Sequence, residues 1–411
     1  MIHRSIANCR LCRSEKLVEL FELGTFVSCG YFPEPDEEDE PAAPLCLLRC
    51  EDCGLVQLKH DFELDELYKS TYGYRSGINQ TMTNHLAGIT DEVVRRLALR
   101  PGDVVLDIGS NDGTLLKSYR VSGLRCFGMD PTIAQFGEYY PSDIATHADY
   151  FAAEPFWKLT GGGRAKAVTA IAMFYDLPDP NAFVADVAAV LDPDGLVVLE
   201  QSYLPAMVEH NAFDTICHEH LEYYALRQVS TLLARHGLRV VDVELNDANG
   251  GSFRVYACPE NAAMAGGEGR VDALLAREAE LGYDTVAPLE ALRQGAFEAR
   301  ERLLEFLNDC KQADKLVHGY GASTKGNTIL QFCGIGTELV EEIADRNPRK
   351  WGRRTPGTRI PIVSEEESRS RKPDYFLVFP WHFRDEFLAR ERAFLEAGGH
   401  LVFPLPRLEI L

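Results

Sequence analysis

The sequence predicts an α/β fold with two doubly wound, parallel sheets behind a small cysteine-rich domain. Apolar strand-like runs alternate with helical patterns from about 80 to 260, the signature of strands joined by crossover helices. A second strand–loop–helix series starts near 315. Ahead of both, six of the 11 cysteines crowd into the first ~75 residues, where clustering favours metal ligation over disulfides. These shifts divide the chain into 1–78, 79–262 and 263–411.

In the first part, Cys9-Arg-Leu-Cys12 and Cys50-Glu-Asp-Cys53 form two C-x-x-C pairs. Each pair aims two sulfurs at one ion, and four thiolates complete a tetrahedral zinc shell. No position is left for an activated water, so the metal is expected to be structural. Cys29 and Cys46 read as packing residues. The intervening PEPDEEDEPAAP (33–44) is acidic and proline-rich, and is expected at the surface.

In the central part, VVLDIG (104–109), LRCFGMD (124–130), AKAVTAIAMF (165–174) and GLVVLEQS (195–202) read as strands. ITDEVVRRLAL (89–99) and NAFVADVAAVL (181–191) read as helices between them. The first strand runs through Asp107 and Gly109 into Asn111 and Gly113, a tight turn that opens a helix. Glycine there lets backbone approach a ligand. The turn lacks the G-x-G-x-x-G spacing of a nicotinamide site, whereas an S-adenosylmethionine site has no phosphate to cradle and does not need it. An acid for the ribose belongs at the end of the next strand, about 20 residues on, where Asp130 stands. Asp149 falls where an acid would meet the adenine. Downstream, FDTICHEHLEYY (213–224) crowds His218, Glu219, His220, Tyr223 and Tyr224 just beyond a strand's carboxyl end, a setting for proton chemistry.

The last part begins with residues ~265–315, which read as helix. ELVEEIAD (338–345), DYFLVFP (374–380) and HLVFPLP (400–406) supply later strands. Gly319-Tyr-Gly-Ala-Ser-Thr-Lys-Gly-Asn327 joins a strand to a helix. Amides at a helix N-terminus favour an anion, and Ser323, Thr324, Lys325 and Asn327 read as its diphosphate site. Lys350, Arg353 and Arg354 form a basic cluster that assists there or is simply solvated. Trp351 and Trp381-His382 offer stacking surfaces, though tryptophan is more often core.

The formal net charge of −21 opposes broad nucleic-acid binding. No run of ~20 apolar residues is present to span a bilayer, and MIHRSIANCRLC lacks the apolar core of a signal peptide. The expected setting is the cytoplasm, and a monomer suffices.

The loop LDIGSNDG, then GMD and ADYF, resembles class I methyltransferases, whose central sheet is Rossmann-like. Along nearly its whole length the chain resembles the sugar C-methyltransferases of branched-deoxysugar and antibiotic biosynthesis. The shared pattern is the two C-x-x-C pairs, the Y-x-Y-x-S segment at Tyr72 and Tyr74, LDIGSNDG, D-T-I-x-H-E-H-L-x-Y-Y, and G-x-G-A-S-T-K-G-N. The resemblance implies a zinc-binding N-terminal part, a methyltransferase that uses S-adenosylmethionine, and a C-terminal Rossmann-like domain that helps hold a dTDP-linked 4-keto-6-deoxyhexose. It also implies His220 as the base that generates an enolate for methylation at C-3, with Glu219 beside it and Tyr72 or Tyr74 donating to the enolate oxygen. Where the family has a tyrosine directly before H-E-H, this chain has Cys217, expected to be a spacer. The alternatives are methylation at C-5 of a related keto sugar, methylation of another small acceptor, and a zinc-ribbon adaptor.

Overall fold

The computed structural model describes residues 3–62, 74–264 and 266–411. Its centre is a seven-stranded sheet in the order Leu238–Asn246, Ser252–Pro259, Leu191–Ser202, Ala165–Ile171, Val104–Ile108, Arg125–Met129 and Ile144–His147. The last five run parallel, and Ser252–Pro259 inserts antiparallel beside Leu191–Ser202. Val104–Ile108 is buried on both faces, as its unbroken apolar run requires for an interior parallel strand.

The helices follow their sequence signals. Gln80–Leu97 is capped by Asn79, whose Oδ1 accepts from the Thr81 amide at 2.8 Å. It buries Met82, Leu86, Ile89 and Val93 on one stripe. Pro180–Val190 starts with proline and is capped by Asp179. The helix expected over ~265–315 is two helices, Glu268–Glu280 and Ala287–Gln312, separated at Gly282, whose φ of 76° ends the first.

The C-terminal part is a six-stranded sheet ordered Ile362–Ser364, Ile343–Asp345, Val317–Tyr320, Tyr375–Val378, His400–Phe403, Glu409–Ile410, parallel except for the last. The strand expected over 338–345 is confined to Ile343–Asp345. Chain order reverses between Val317–Tyr320 and its neighbour Tyr375–Val378, a topological switch point.

The N-terminal sheet is ordered Glu222–Tyr223, Val56–Leu58, Ala43–Cys50, Leu17–Phe26. Its edge strand comes from the H-E-H segment of the central part, with Glu222 opposite Gln57 and Tyr223 opposite Val56. The acidic loop is partly exposed, yet it is docked. Arg354 binds Asp39 at 2.7 Å, Arg353 binds Glu34 at 2.6 Å, and the Arg354 amide donates to the Pro33 carbonyl at 3.0 Å. Two of the three basic-cluster residues therefore tie the N-terminal loop to the C-terminal part. No helix among the described residues is long and apolar enough to cross a membrane.

Candidate active site

The four cysteine sulfurs lie within 4.8 Å of one another. Cys9 and Cys53 are 3.6 Å apart, and Cys12 and Cys50 3.4 Å. A tetrahedral site with Zn–S near 2.3 Å needs sulfur–sulfur edges of about 3.8 Å, so the cage fits zinc. Each pair sits on a tight turn: the Arg13 amide donates to the Cys9 carbonyl and the Gly54 amide to that of Cys50, both at 2.9 Å. Asn181 caps the Arg10 and Leu11 carbonyls at 2.9 and 3.0 Å, and Gln228 donates to the Cys53 carbonyl at 3.0 Å. The knot is thereby mortised onto two helices of the central part. With all four positions taken by sulfur, its role is structural.

At the carboxyl ends of the central strands lies a cavity of about 190 Å³, lined by Asp107, Gly109, Asn111 and Asp130. Gly109 has φ 70°, and a Cβ there would lie 2.8 Å from Met173 Cγ, so glycine is required. The Asp130 carboxylate accepts from the Asn111 amide at 2.9 Å and the Thr132 amide at 2.6 Å, which aims it across the cavity floor. Asp107 accepts from Thr169 at 2.6 Å, and burial pushes its carboxyl up to about 7. Tyr150, Phe151, Met173, Leu177 and Phe183 add an apolar wall, a surface for adenine. The site fits S-adenosylmethionine: an acid for the ribose, a glycine turn for the methionine part, and an apolar slot for the base. Two expected residues lie elsewhere. Asp149 is exposed and caps the next amide, that of Tyr150, at 2.8 Å; its neighbours Tyr150 and Phe151 do the lining. Gly113 serves packing, since a Cβ there would meet the Tyr140 ring at 2.8 Å.

Sequence reasoning missed Glu200, 3% exposed at the cavity wall. Arg254 and Asn246 donate to it at 2.8 and 2.9 Å, and His85 also binds it. Burial opposes its ionisation, but His85 and Arg254 outweigh that and hold its carboxyl low. Its place at a parallel strand's carboxyl end was the available signal.

The H-E-H segment divides. His220 Nδ1 faces the Thr215 carbonyl at 2.7 Å, which makes Nδ1 the N–H donor and leaves the Nε2 lone pair free. Its ring packs on Tyr175 with centroids 4.3 Å apart, and it lines a small separate pocket of about 10 Å³ with Tyr175, Thr215 and Glu222 rather than the cofactor cavity, whose wall begins at the adjoining Asp176. Burial pulls its pKa down to about 3, opposed by the Thr215 bond and aided by the Lys325 charge. The Glu219 carboxylate is buried with neither oxygen hydrogen-bonded, and burial raises its pKa. Gly30 makes room for it, since a Cβ there would fall 2.3 Å from Glu219 Oε1. His218 points the other way: its Nε2 meets the Ala43 carbonyl at 3.1 Å and its ring the edge of Phe62. Tyr224 is fully buried against Phe174, and Tyr223 packs in the N-terminal core. None of the three lines the cofactor cavity or the C-terminal crevice, and Tyr223 shares only the small pocket at His220. Cys217 is fully buried, its thiol pushed well up by burial and by Glu219.

At the C-terminal switch point lies a crevice of about 180 Å³, lined by Ser323, Asp345, Asn347, Lys350, Phe383 and Arg390 among others. Tyr74 and Arg75 reach into it. Tyr74 lines both cavities, held where the Asn111 amide group donates to its carbonyl at 3.3 Å. Tyr72 lies outside the described residues. The four residues read as one diphosphate site are not together. Ser323 lines the crevice while capping its helix through the Gly326 amide at 3.0 Å. Thr324 Oγ1 lies beside Gly30, 3.8 Å from where a Cβ there would sit. Asn327 is 1% exposed and donates to the Cys29 carbonyl at 2.7 Å. Lys325 turns to the central part and donates to the Asn249 carbonyl at 2.6 Å. Successive residues on a helical turn diverge by about 100°, which a linear motif conceals. Trp351 binds the Asp345 carbonyl at 2.7 Å, and Trp381 is buried on Asp214 at 2.8 Å; neither lines the crevice.

Residues 82–243 match the methyltransferase domain family, 247–406 the C-methyltransferase C-terminal domain family, and 9–68 a zinc binding domain family. Among solved structures, magnesium protoporphyrin IX methyltransferase from Synechocystis PCC 6803 overlays 44% of this chain and 87% of its own at 13% identity and TM-score 0.34. The plantazolicin methyltransferase BpumL overlays 45% and 88% at 10% identity and TM-score 0.36. Overlays this partial carry no weight beside the strand order. C-methyltransferase NovU of Streptomyces niveus is 34% identical over 415 residues, spanning 100% of this chain and 98% of its own length. That likeness runs through the cysteine knot, the cofactor cavity and the C-terminal sheet alike, which sets aside an adaptor built on the knot alone: the chain belongs to the S-adenosylmethionine-dependent, zinc-binding C-methyltransferases.

Proposed function

We propose that the acceptor is a nucleotide-linked sugar, a dTDP-4-keto-6-deoxyhexose methylated at C-3. The observation that carries this reading is a pair of cavities, one for the cofactor and one at the C-terminal switch point, with Tyr74 in the wall of both. A ligand with a nucleotide at one end and a reacting sugar at the other fits that arrangement. Arg75, Arg346, Lys350 and Arg390 line the crevice, each with a carboxylate nearby (Asp112, Glu386, Asp345 and Glu365); a diphosphate would take over these cations. In this reading 1–78 carries zinc, 79–262 the cofactor and 263–411 the nucleotide. In the same reading the enzyme works in the cytoplasm, and a monomer suffices.

Bound S-adenosylmethionine supplies an electrophilic methyl group on a sulfonium. The C-4 ketone acidifies the C-3 proton, and His220 Nε2 takes it, with Thr215 fixing the tautomer. Tyr74 donates to the enolate oxygen, and the buried Glu219 carboxyl orients the sugar from the other side. Asp130, Gly109 and Asn111 would hold the S-adenosylmethionine that supplies the methyl group to C-3.

Incubation with methyl-labelled S-adenosylmethionine and a dTDP-4-keto-2,6-dideoxyhexose in deuterated water, read by NMR and mass spectrometry, tests the reading. Label on C-3 supports it. Label on C-5 selects the related keto-sugar alternative. No label and no exchange, with cofactor still bound, refutes the acceptor class.

A further inference from the structure

We propose that Lys325 is a positioning residue for methyl transfer: it reaches from the crevice-bearing domain to fix the loop at Asn249 that forms part of the cofactor cavity wall. The inference rests on the crevice taking the nucleotide end of the acceptor.

The loop is an unusual piece of backbone. Asn249, Gly250 and Gly251 have φ of 54°, 90° and 123° in succession. Asparagine tolerates the left-handed region only at some cost, so this shape must be held by its surroundings. From within the central part, the Gly251 carbonyl accepts from the Tyr203 amide at 3.1 Å and His210 Nδ1 meets the Gly250 carbonyl at 2.8 Å. The Asn249 carbonyl is held from outside, by Lys325 Nζ at 2.6 Å. Beside it the Trp381 indole presses on Gly250, where a Cβ would stand 3.0 Å from the ring, and the same indole is pinned to Asp214 at 2.8 Å. Asn249 lines the cofactor cavity together with Glu200.

Both clamping residues adjoin the crevice. Ser323 and Pro380 line it; Lys325 and Trp381 follow them two and one residues later. A ligand in the crevice therefore touches the same two turns that grip the cavity wall. Asp214 is fully buried and faces the Lys325 charge, and its Oδ1 has no hydrogen-bond partner. Burial lowers the lysine's pKa and Asp214 opposes the drop.

The test compares wild type, K325M and K325R by hydrogen exchange of the peptide covering 248–251, by affinity for S-adenosylhomocysteine and for dTDP, and by steady-state kinetics. In K325M the loop is expected to exchange faster and S-adenosylhomocysteine to bind about tenfold more weakly. The same variant is expected to lose about 100-fold in kcat from the misplaced wall, with dTDP affinity unchanged. K325R, which keeps a cationic donor, is expected to recover part of each. Loop protection and kcat unchanged in K325M would overturn the proposal. So would a loss confined to dTDP affinity, which would make Lys325 a phosphate ligand. If dTDP does not bind wild type, the crevice reading fails while the loop exchange still decides the role of Lys325. Should K325M not fold, K325Q, a neutral donor of shorter reach, gives the same readouts.

Discussion

Arg10, between two zinc-ligating cysteines, is 2% exposed, and its replacement by methionine should uncouple the knot from the catalytic segment. The guanidinium donates to Asp61 Oδ1 at 2.7 and 3.1 Å, to the Leu58 carbonyl at 2.8 Å and to the His60 carbonyl at 3.1 Å. Glu222, on the strand that follows His220, lies 3.7 Å away and is wholly buried. A buried carbonyl that loses its donor costs about 1–3 kcal/mol, and breaking a buried ion pair from one side costs about 3–5 kcal/mol. Methionine keeps some packing, so the expected net loss is about 4 kcal/mol. That is a large share of the roughly 5–15 kcal/mol by which native domains are stable. Urea unfolding followed by zinc release to a chromogenic chelator reports on this part of the molecule. With a slope of about 2 kcal/mol per molar, the midpoint should fall by about 2 M. The double variant R10M/E222Q should lose less than R10M, because no stranded carboxylate remains. A midpoint shift below about 0.5 M, or a double variant that merely adds the two losses, would refute the assignment of Arg10 as the pin of this junction.

Other expectations are simpler. One zinc per chain should be found by elemental analysis, and C50S should lose it along with the N-terminal fold. Asp107 has its carboxyl raised from 3.8 to about 7 by burial, so its stabilising contribution is full below pH 3.8 and is lost as pH rises through about 7. D107N should therefore show a melting temperature that falls less steeply over that window, and an unchanged slope would refute the assignment. His220 is held neutral, its pKa drawn from 6.5 to about 3, so kcat/KM should show no falling limb near pH 6.5. H220Q should lose about 10²–10⁴-fold in turnover and abolish solvent deuterium exchange into the sugar. Near wild-type turnover in H220Q would remove His220 from the base role.

The parts legible in the sequence were those set by short-range rules. Two C-x-x-C pairs imply a tetrahedral cage whatever lies between them. An apolar strand ending in Asp107 and Gly109, with Asp130 one strand on, implies a ligand at the strand ends. Side-chain direction was not legible. His218 and His220 differ by two positions, yet one enters the N-terminal core and the other faces Tyr175. Lys325 sits in a loop that reads as an anion cradle, but its target is a carbonyl 76 residues earlier in the chain. The Glu200 network is assembled from residues 115 and 54 positions away, so no local pattern announces it. The helix over ~265–315 was legible in composition but not in its break, which hangs on one glycine.

The strand Glu222–Tyr223 gives the molecule an order of assembly. As the chain is synthesised, the N-terminal sheet lacks its fourth strand until residue 223 has been made, after the five parallel strands of the central sheet. Val56–Leu58 remains an open edge for that interval, ready to pair with any passing strand. A gene fragment ending before that point would encode a product with a permanently unsatisfied border, prone to stick to its own copies. The three parts are thus separable as sheets but not as cassettes. Exchanging the N-terminal part between relatives would have to carry the two-residue strand with it, even though that strand is encoded more than 150 residues downstream of the cysteine pairs.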